Sequence, residues 1–329
     1  MIAVRVLSLV TTDRARFYRQ EVDGLKKRGV RIDTLSVPGS RQDSDGTVDA
    51  RSPLDYVRFY GSAISASFDE YDLVHANYGL TAPPAVVQPN LPTVLTLWGS
   101  DLLGRYGSMA RWCARAADAV IVMSPGMAEA LGRPCHIIPH GVDTERFKPA
   151  PQRPAQEAVG WKPDRHHVLF PYSPERPVKN YQRAKRVTER ADRRVDRRVE
   201  LHSVTGVPHH RVSTYMNAAD ALLLTSESEG SPNSVKEALA CNLPVVSVDV
   251  GDVSLQLHDV TPSVVASSDT ELVDGLVDVL ERGDRSNGRI MVEDVRMETQ
   301  IQKVYDVYRE VVSENERSPK RSITKPLFR

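Results

Sequence analysis

Short apolar runs alternate with mixed polar stretches along most of this chain. "IAVRVLSLV" (2–10), "VRIDTLSV" (30–37), "YDLVHA" (71–76), "PTVLTLW" (92–98) and "DAVIVMS" (118–124) all have strand length. Runs this continuously apolar suit strands covered on both faces, as in a parallel sheet. Between the first two lies "RARFYRQEVDGLKKRG", where Tyr18, Val22 and Leu25 recur at helical spacing ahead of Gly29. That spacing predicts an amphipathic helix with a glycine stop. "PCHIIPHGVD" (134–143) ends this half.

A proline-rich segment, "FKPAPQRPAQEAVGWKPDRHH", then breaks the alternation. It reads as a linker over 149–165, after a first domain at 1–148. Alternation resumes with "HVLFPYS", a charged helix from about Tyr181, "VELHSV", "DALLLTS", "LPVVSVD" and "SVVA", giving a second domain at 166–296. "TELVDGLVDVLERG" and "VEDVRMETQIQKVYDVYREVVS" are closing helices. The last of them, about 297–314, is expected to pack back on the first domain. Residues 315–329 are polar, mostly basic and expected to form a loose tail. The halves also echo each other: "RAADAVIVMSPGMAEAL" from Arg115 and "NAADALLLTSESEGSPNSVKEAL" from Asn217. The expected fold is therefore α/β, with two doubly wound sheets binding ligands beyond the carboxyl ends of their strands.

Composition narrows the function. With 43 basic and 43 acidic residues among 329, the chain lacks the positive excess of a general nucleic-acid binder. Its longest apolar runs fall far short of the ~20 residues that span a bilayer. Cys113, Cys135 and Cys241 are odd in number and without metal-ligand spacing, which reads as reduced structural thiols. The expectation is a soluble, cytoplasmic protein.

The candidate chemistry lies in "ESEGSPNSVKEALACNLPVVS", from Glu227. Glu229 and Glu237 flank a Gly230-Ser231-Pro232-Asn233-Ser234 turn. In one continuous helix eight residues would set the two carboxylates roughly 80° apart and about 12 Å along the axis. With Glu229 ending a loop and Glu237 in the next helix, both can face one pocket. The helix N-terminus carries unpaired N–H groups and about half a positive charge, which suits phosphate. Glu229 suits sugar hydroxyls and Glu237 a ribose. A capping box, Ser234 to Glu237, is the alternative that explains Glu237 without a ligand. Upstream, "FPYSPERPVKNY" places Arg176 and Lys179 after a buried strand, two cations fit for a diphosphate.

Together these segments resemble the family-four (group-1) retaining glycosyltransferases. The spaced glutamates match that family's signature, "SPERPVKN" is similar to its diphosphate loop, "HGVDTERFKP" to its hinge and "WGSDLL" to its acceptor-side loop. The resemblance covers roughly residues 1 to 315. It implies the GT-B fold, two Rossmann-like domains facing each other across a cleft, with the nucleotide sugar bound mainly by the second. It implies Glu229, Lys179 and Arg176 as catalytic residues, with Glu237 and Gly230 to Ser234 binding the donor. It further implies Trp98, Gly99, Asp101 and His140 on the acceptor side, with no metal and no cofactor. The expected reaction is metal-independent transfer of a hexosyl-type sugar from a nucleotide sugar to a glycan or lipid-linked acceptor, retaining configuration. Two departures stand out: "LVTTDRARFY" lacks the family's Gly-Gly loop, and Trp98 stands where many members have histidine. A nucleotide-sugar epimerase or hydrolase, or a silent binding protein of the same fold, are the alternatives.

Other candidates read as ordinary. "DSD" at Asp43–Asp45 lies in a polar loop without a flanking apolar strand. His166, His167, His209 and His210 read as solvated loop histidines without carboxylate or cysteine companions. His140 suits either ligand binding or a local bond to Asp143. The cations Arg14, Arg16, Arg19, Lys26, Lys27 and Arg28, with the basic tail, suit peripheral contact with an anionic membrane.

Overall fold

The computed structural model describes residues 4–39 and 51–317. Asp43–Asp45 and most of the basic tail lie outside the described residues. The chain forms two compact units, one from residues up to 139 plus those from 298 onward, the other from 140–297.

In the first unit, β1 (Arg5–Val10), α1 (Arg16–Lys27), β2 (Arg31–Ser36), α2 (Pro53–Ala66), β3 (Leu73–Ala76) and α3 (Ala82–Val87) come first. β4 (Thr93–Leu97), α4 (Gly107–Ala116), β5 (Ala119–Val122), α5 (Pro125–Leu131) and β6 (His136–Ile137) follow. All strands are parallel, in the order β2-β1-β3-β4-β5-β6. The chain leaves β1 for β2, then returns to β3 on the other side of β1. At such a reversal the loops on either side diverge and open a crevice at the carboxyl ends.

In the second unit, α6 (Gln152–Val159) precedes β7 (His166–Phe170), α7 (Tyr181–Asp192), β8 (Val199–Ser203), α8 (His209–Ala218) and β9 (Ala221–Leu224). Then come α9 (Asn233–Ala240), β10 (Val245–Val248), α10 (Val253–Gln256), β11 (Val264–Ala266), α11 (Asp269–Arg282), α12 (Gly288–Met291) and α13 (Met297–Arg317). The parallel order β11-β10-β9-β7-β8 reverses between β7 and β9. In β9, Leu222 and Leu224 pack in one core while Ala221 and Leu223 pack in the other. β7 does the same, with Leu169 on one side and Val168 and Phe170 on the other. Side chains alternate across a strand, so burial on both faces demands an unbroken apolar run.

Two boundaries differ from the reading of the sequence. Residues 140–147 belong to the second unit because Val142 and Phe147 are buried in its core and Val142 bridges to Arg296. The expected linker holds α6, whose Gln152 and Gln156 amides donate to carbonyls at the end of α8. Pro154 does not prevent this helix, since first-turn N–H groups have no intrahelical acceptor to lose. From Glu298 onward α13 belongs to the first unit: Tyr308 Oη lies 2.6 Å from His75 Nδ1, and Gln300 donates to Glu21 at 2.6 Å. Among the described residues, no helix is long and apolar enough to cross a membrane.

Candidate active site

The loops after β7 and β9 carry the second unit's candidate residues, and main-chain bonds tie them together. The Thr225 hydroxyl reaches the carbonyls of Lys179 (3.0 Å) and Asn180 (3.1 Å), and Glu227 N–H donates to Val178 O at 2.8 Å. Asn180, left-handed at φ 51°, caps α7 by accepting from Arg183 N. So constrained, Lys179 is 5% exposed, and its ammonium contacts the Glu229 carboxylate. The same nitrogen lies 3.8 Å from the centre of the Tyr172 ring, a cation–π arrangement. Burial lowers the Lys179 pKa, and Glu229 opposes that shift. Arg176 stands exposed at the rim, close enough to Lys179 to act on it electrostatically.

Gly251, at φ +63°, sits against this loop: a Cβ there would fall 2.7 Å from Gly230 O and 3.0 Å from Glu229 O. Only a residue without a side chain allows that approach and that backbone conformation.

Pro232 occupies the N-cap position of α9, and no side chain caps the helix. The capping box weighed as the alternative for Glu237 does not form. Ser234 Oγ instead bonds to the Tyr172 hydroxyl, whose pKa burial raises. Ser231 is likewise engaged inward, accepting from Lys236 Nζ at 3.2 Å. Asn233 Oδ1 is buried without a hydrogen-bond partner among the described residues. Glu237 meets His209 Nε2 at 3.1 Å. His209 Nδ1 accepts from Arg146 at 3.3 Å, which leaves Nε2–H to donate to the carboxylate. Glu229 and Lys179 are thus brought together, and Glu237 meets the His209 imidazole, with both carboxylates near enough to Tyr172 to act on it electrostatically.

In the first unit Asp101 is fully buried. Its carboxylate accepts from the backbone N–H groups of Trp98 (2.8 Å), Gly99 (3.0 Å) and Gly79 (2.9 Å). Burial raises its pKa, and these bonds oppose that. Gly99 holds a φ of +114°, which the tight turn needs and side-chain-bearing residues avoid. Trp98 donates from its indole to Asn77 O at 2.9 Å, and its ring lies 4.6 Å from that of Phe17. His140, the first residue of the second unit, is buried, and its carbonyl accepts from Lys236 at 2.9 Å. Asp143 accepts from Arg146 N.

The histidine reading needs correction. His166 and His167 are buried in β7, and His209 and His210 lie in α8. His167 also has companions, Glu200 and His202, within metal-ligand reach of one another. Their atoms account for each other without an ion. His167 Nε2 faces Lys162 O at 2.8 Å, its Nδ1 meets His202 Nε2 at 2.9 Å, and Arg165 pairs with Glu200. Trp161 stacks on His202 at 3.8 Å and 19°.

Sequence reasoning missed Tyr172, Gly251 and Lys236, and set His209 aside as an ordinary loop histidine. Only Lys236 left a trace in the pattern, a lone cation on a helix whose neighbours Val235, Ala238 and Leu239 are apolar and buried.

Comparisons with known proteins agree with this architecture. The profile for glycosyl transferases group 1 matches residues 176–282, and that for Glycosyltransferase Family 4 matches residues 15–146. A glycosyltransferase of Bacillus subtilis (strain 168), TuaC, assigned to teichuronic acid biosynthesis, is 28% identical over 212 residues. That alignment takes in 56% of this chain and 54% of the relative, so the chain spans about half the length of the relative it matches. Among solved structures, sucrose-phosphate synthase from Thermosynechococcus elongatus superposes with a TM-score of 0.71 at 17% identity, over 94% of this chain and 100% of that one. Anabaena Alr3699/HepE in complex with UDP and glucose gives 0.68 at 14%, over 93% and 100%. With profiles matched in both units and the GT-B likeness running through nearly the whole chain, this protein belongs to the group-1 glycosyltransferases of the GT-B fold.

Proposed function

We propose that this chain is a metal-independent, retaining glycosyltransferase that moves a hexosyl-type sugar from a nucleotide-sugar donor to a glycan or lipid-linked acceptor. The observation that carries the reading is the meeting of Lys179 and Glu229 at the strand-order reversal of the second sheet, beside the N-terminus of α9. Lys179, with Arg176 at the rim, neutralises the departing diphosphate, the kind of electrostatic stabilisation that usually dominates catalysis. Glu229 accepts from donor-sugar hydroxyls. The backbone N–H groups of Gly230, Ser231, Asn233 and Ser234, in the turn into α9, face the phosphates. Glu237, held by His209, turns to the ribose. The acceptor hydroxyl gives its proton to the departing phosphate oxygen, so the new bond forms on the face the leaving group vacates. Trp98 and Gly99 line the acceptor side, and Asp101 shapes it from below.

Anabaena HepE is described with UDP-glucose, which supports a nucleotide-sugar donor and makes uridine the first base to try. The assignment of the Bacillus relative to teichuronic acid biosynthesis supports an anionic or lipid-linked glycan as acceptor. We further propose a cytoplasmic protein in peripheral contact with an anionic membrane, through the exposed Arg14, Arg16, Arg19, Lys26 and Lys27.

The test is a thermal-shift panel of UDP-, GDP- and ADP-sugars with EDTA present. A ligand at a hundred times its dissociation constant stabilises the folded state by about 2.7 kcal/mol, several degrees at this size. A shift with one nucleotide class is expected. No shift with any class sinks the donor site, and a shift that EDTA removes sinks metal independence.

A further inference from the structure

Beneath the Glu229–Ser234 loop lies a buried polar network that the donor reading leaves unused. Lys236 is 2% exposed, on a helix face otherwise committed to the core. Its ammonium donates to His140 O at 2.9 Å and to Ser231 Oγ at 3.2 Å. Ser231 Oγ also accepts from Gln256 Nε2 at 3.3 Å, and the hydroxyl lies near enough to the Asp252 carboxylate to favour its charged form. Gln256 Nε2 donates in turn to Asp252 Oδ1 at 2.5 Å. Asp252 is itself 8% exposed.

A hydroxyl offers one hydrogen and two lone pairs. Ser231 therefore has both lone pairs taken, by groups from α9 and α10, with Asp252 beside it just before α10. Its side chain cannot turn without breaking a bond to a buried charge. Ser231 lies two residues after Glu229 and two before Asn233, so fixing it fixes the peptides on both sides. A bare lysine in this place would be an extravagant way to fill space, because burial disfavours the charged form. Burial lowers its pKa to about 8, while Asp252 and Glu237 favour the ammonium.

We infer that Lys236, with Asp252 and Gln256, is a positioning residue for the transfer: it anchors Ser231 and so sets the direction in which Glu229 and the Gly230–Ser231 peptide meet the donor sugar. The inference rests on the donor-site reading above and extends it below the contact layer. Lys179 and Arg176, which this network does not touch, hold the phosphates together with the backbone of the Gly230–Ser234 turn. Loss of the anchor therefore falls more heavily on the sugar part of the donor than on the nucleotide.

The experiment uses the full chain as wild type, Lys236→Met and Lys236→Met/Asp252→Asn. UDP and UDP-glucose are titrated calorimetrically, and hydrogen exchange is followed in a peptide covering 227–235. Lys236→Met is expected to weaken UDP-glucose at least tenfold and UDP less than threefold, with loop amides exchanging at least tenfold faster. The double variant removes the unpaired carboxylate but not the missing anchor. It should regain thermal stability and keep both deficits, and it carries the test if the single variant does not fold. Unchanged exchange and affinity in Lys236→Met would overturn the inference, as would a double variant that restores them, since that is how a purely structural charge pair behaves. If wild type binds neither UDP nor UDP-glucose, the titration uses the nucleotide class that shifts the melt; if no class does, the donor reading has failed instead, and the exchange rates alone decide whether Lys236 orders the loop.

Discussion

The two sheets reverse strand order in the same way, yet the crevices so formed treat charge differently. In the first unit, in the loop after β4, Asp101 is enclosed by three backbone N–H groups and Trp98 is engaged by Asn77 and Phe17. The charge there is consumed by the loop it shapes. In the second, Lys179 and Glu229 satisfy mainly each other, and Glu229 retains 13% of its side-chain surface. A pair whose members mainly satisfy each other can exchange partners when a ligand brings a phosphate to one member and hydroxyls to the other. The same strand-order reversal thus gives a scaffold in one unit and a candidate reactive centre in the other.

Removing the exchangeable pair should have the largest effect. Lys179→Ala deletes the cation opposite the leaving group and strands Glu229 in a poorly solvated place. Transfer from the donor that the thermal-shift panel identifies should fall 10²- to 10³-fold, about 3–4 kcal/mol of transition-state stabilisation. Steady-state rates with the folded variant check this. A loss below tenfold would put the second crevice on the same structural footing as the first.

Asp101→Ala is the matching break in the first unit. It leaves three buried N–H groups without an acceptor, so stability should drop by about 3 kcal/mol. Nucleotide affinity should stay within a factor of two. Denaturant melts and a UDP titration measure both. An affinity loss without a stability loss would mean that Asp101 touches ligand after all.

The same contrast explains what could be read from the sequence. The strands were legible because burial on both faces writes itself as an unbroken apolar run, as in "ALLL" of β9. The Glu229 loop was legible because a glycine-bearing turn ahead of a helix is a local signal. α2 went unread although Ser52 and Asp55 form a capping box at its start, and α6 was hidden by its prolines. What Asp101, Tyr172 and His209 do was not legible at all. Their partners lie 22, 62 and 28 positions away, at Gly79, Ser234 and Glu237, and only strand order brings such positions together. The histidines of β7 were misplaced for a related reason. A polar residue at the mouth of a strand looks like loop until its neighbours in the sheet are known.

Glu21 provides the finest test of the contrast, because it is a second acid consumed within the first unit. It is 5% exposed in α1 and accepts from Gln300 of α13. Burial pushes its pKa from 4.5 up to about 7, with the Gln300 bond opposing. The folded state therefore holds this proton more tightly than the unfolded chain does. Its contribution is complete below about pH 4.5, declines as pH rises towards 7, and is gone above that, a span of roughly 3 kcal/mol at most. Glu21→Gln keeps the shape without the charge, so it should stabilise the first unit by about 2 kcal/mol at pH 8 and by almost nothing at pH 4.5. Hydrogen exchange of the β1 and β3 amides at several pH values reads that unit directly. Nucleotide-dependent stabilisation of the second unit should be unmoved. A gap that widens towards acid would mean that Glu21 is ionised in the fold, and the first unit would then also hold a charge available for exchange.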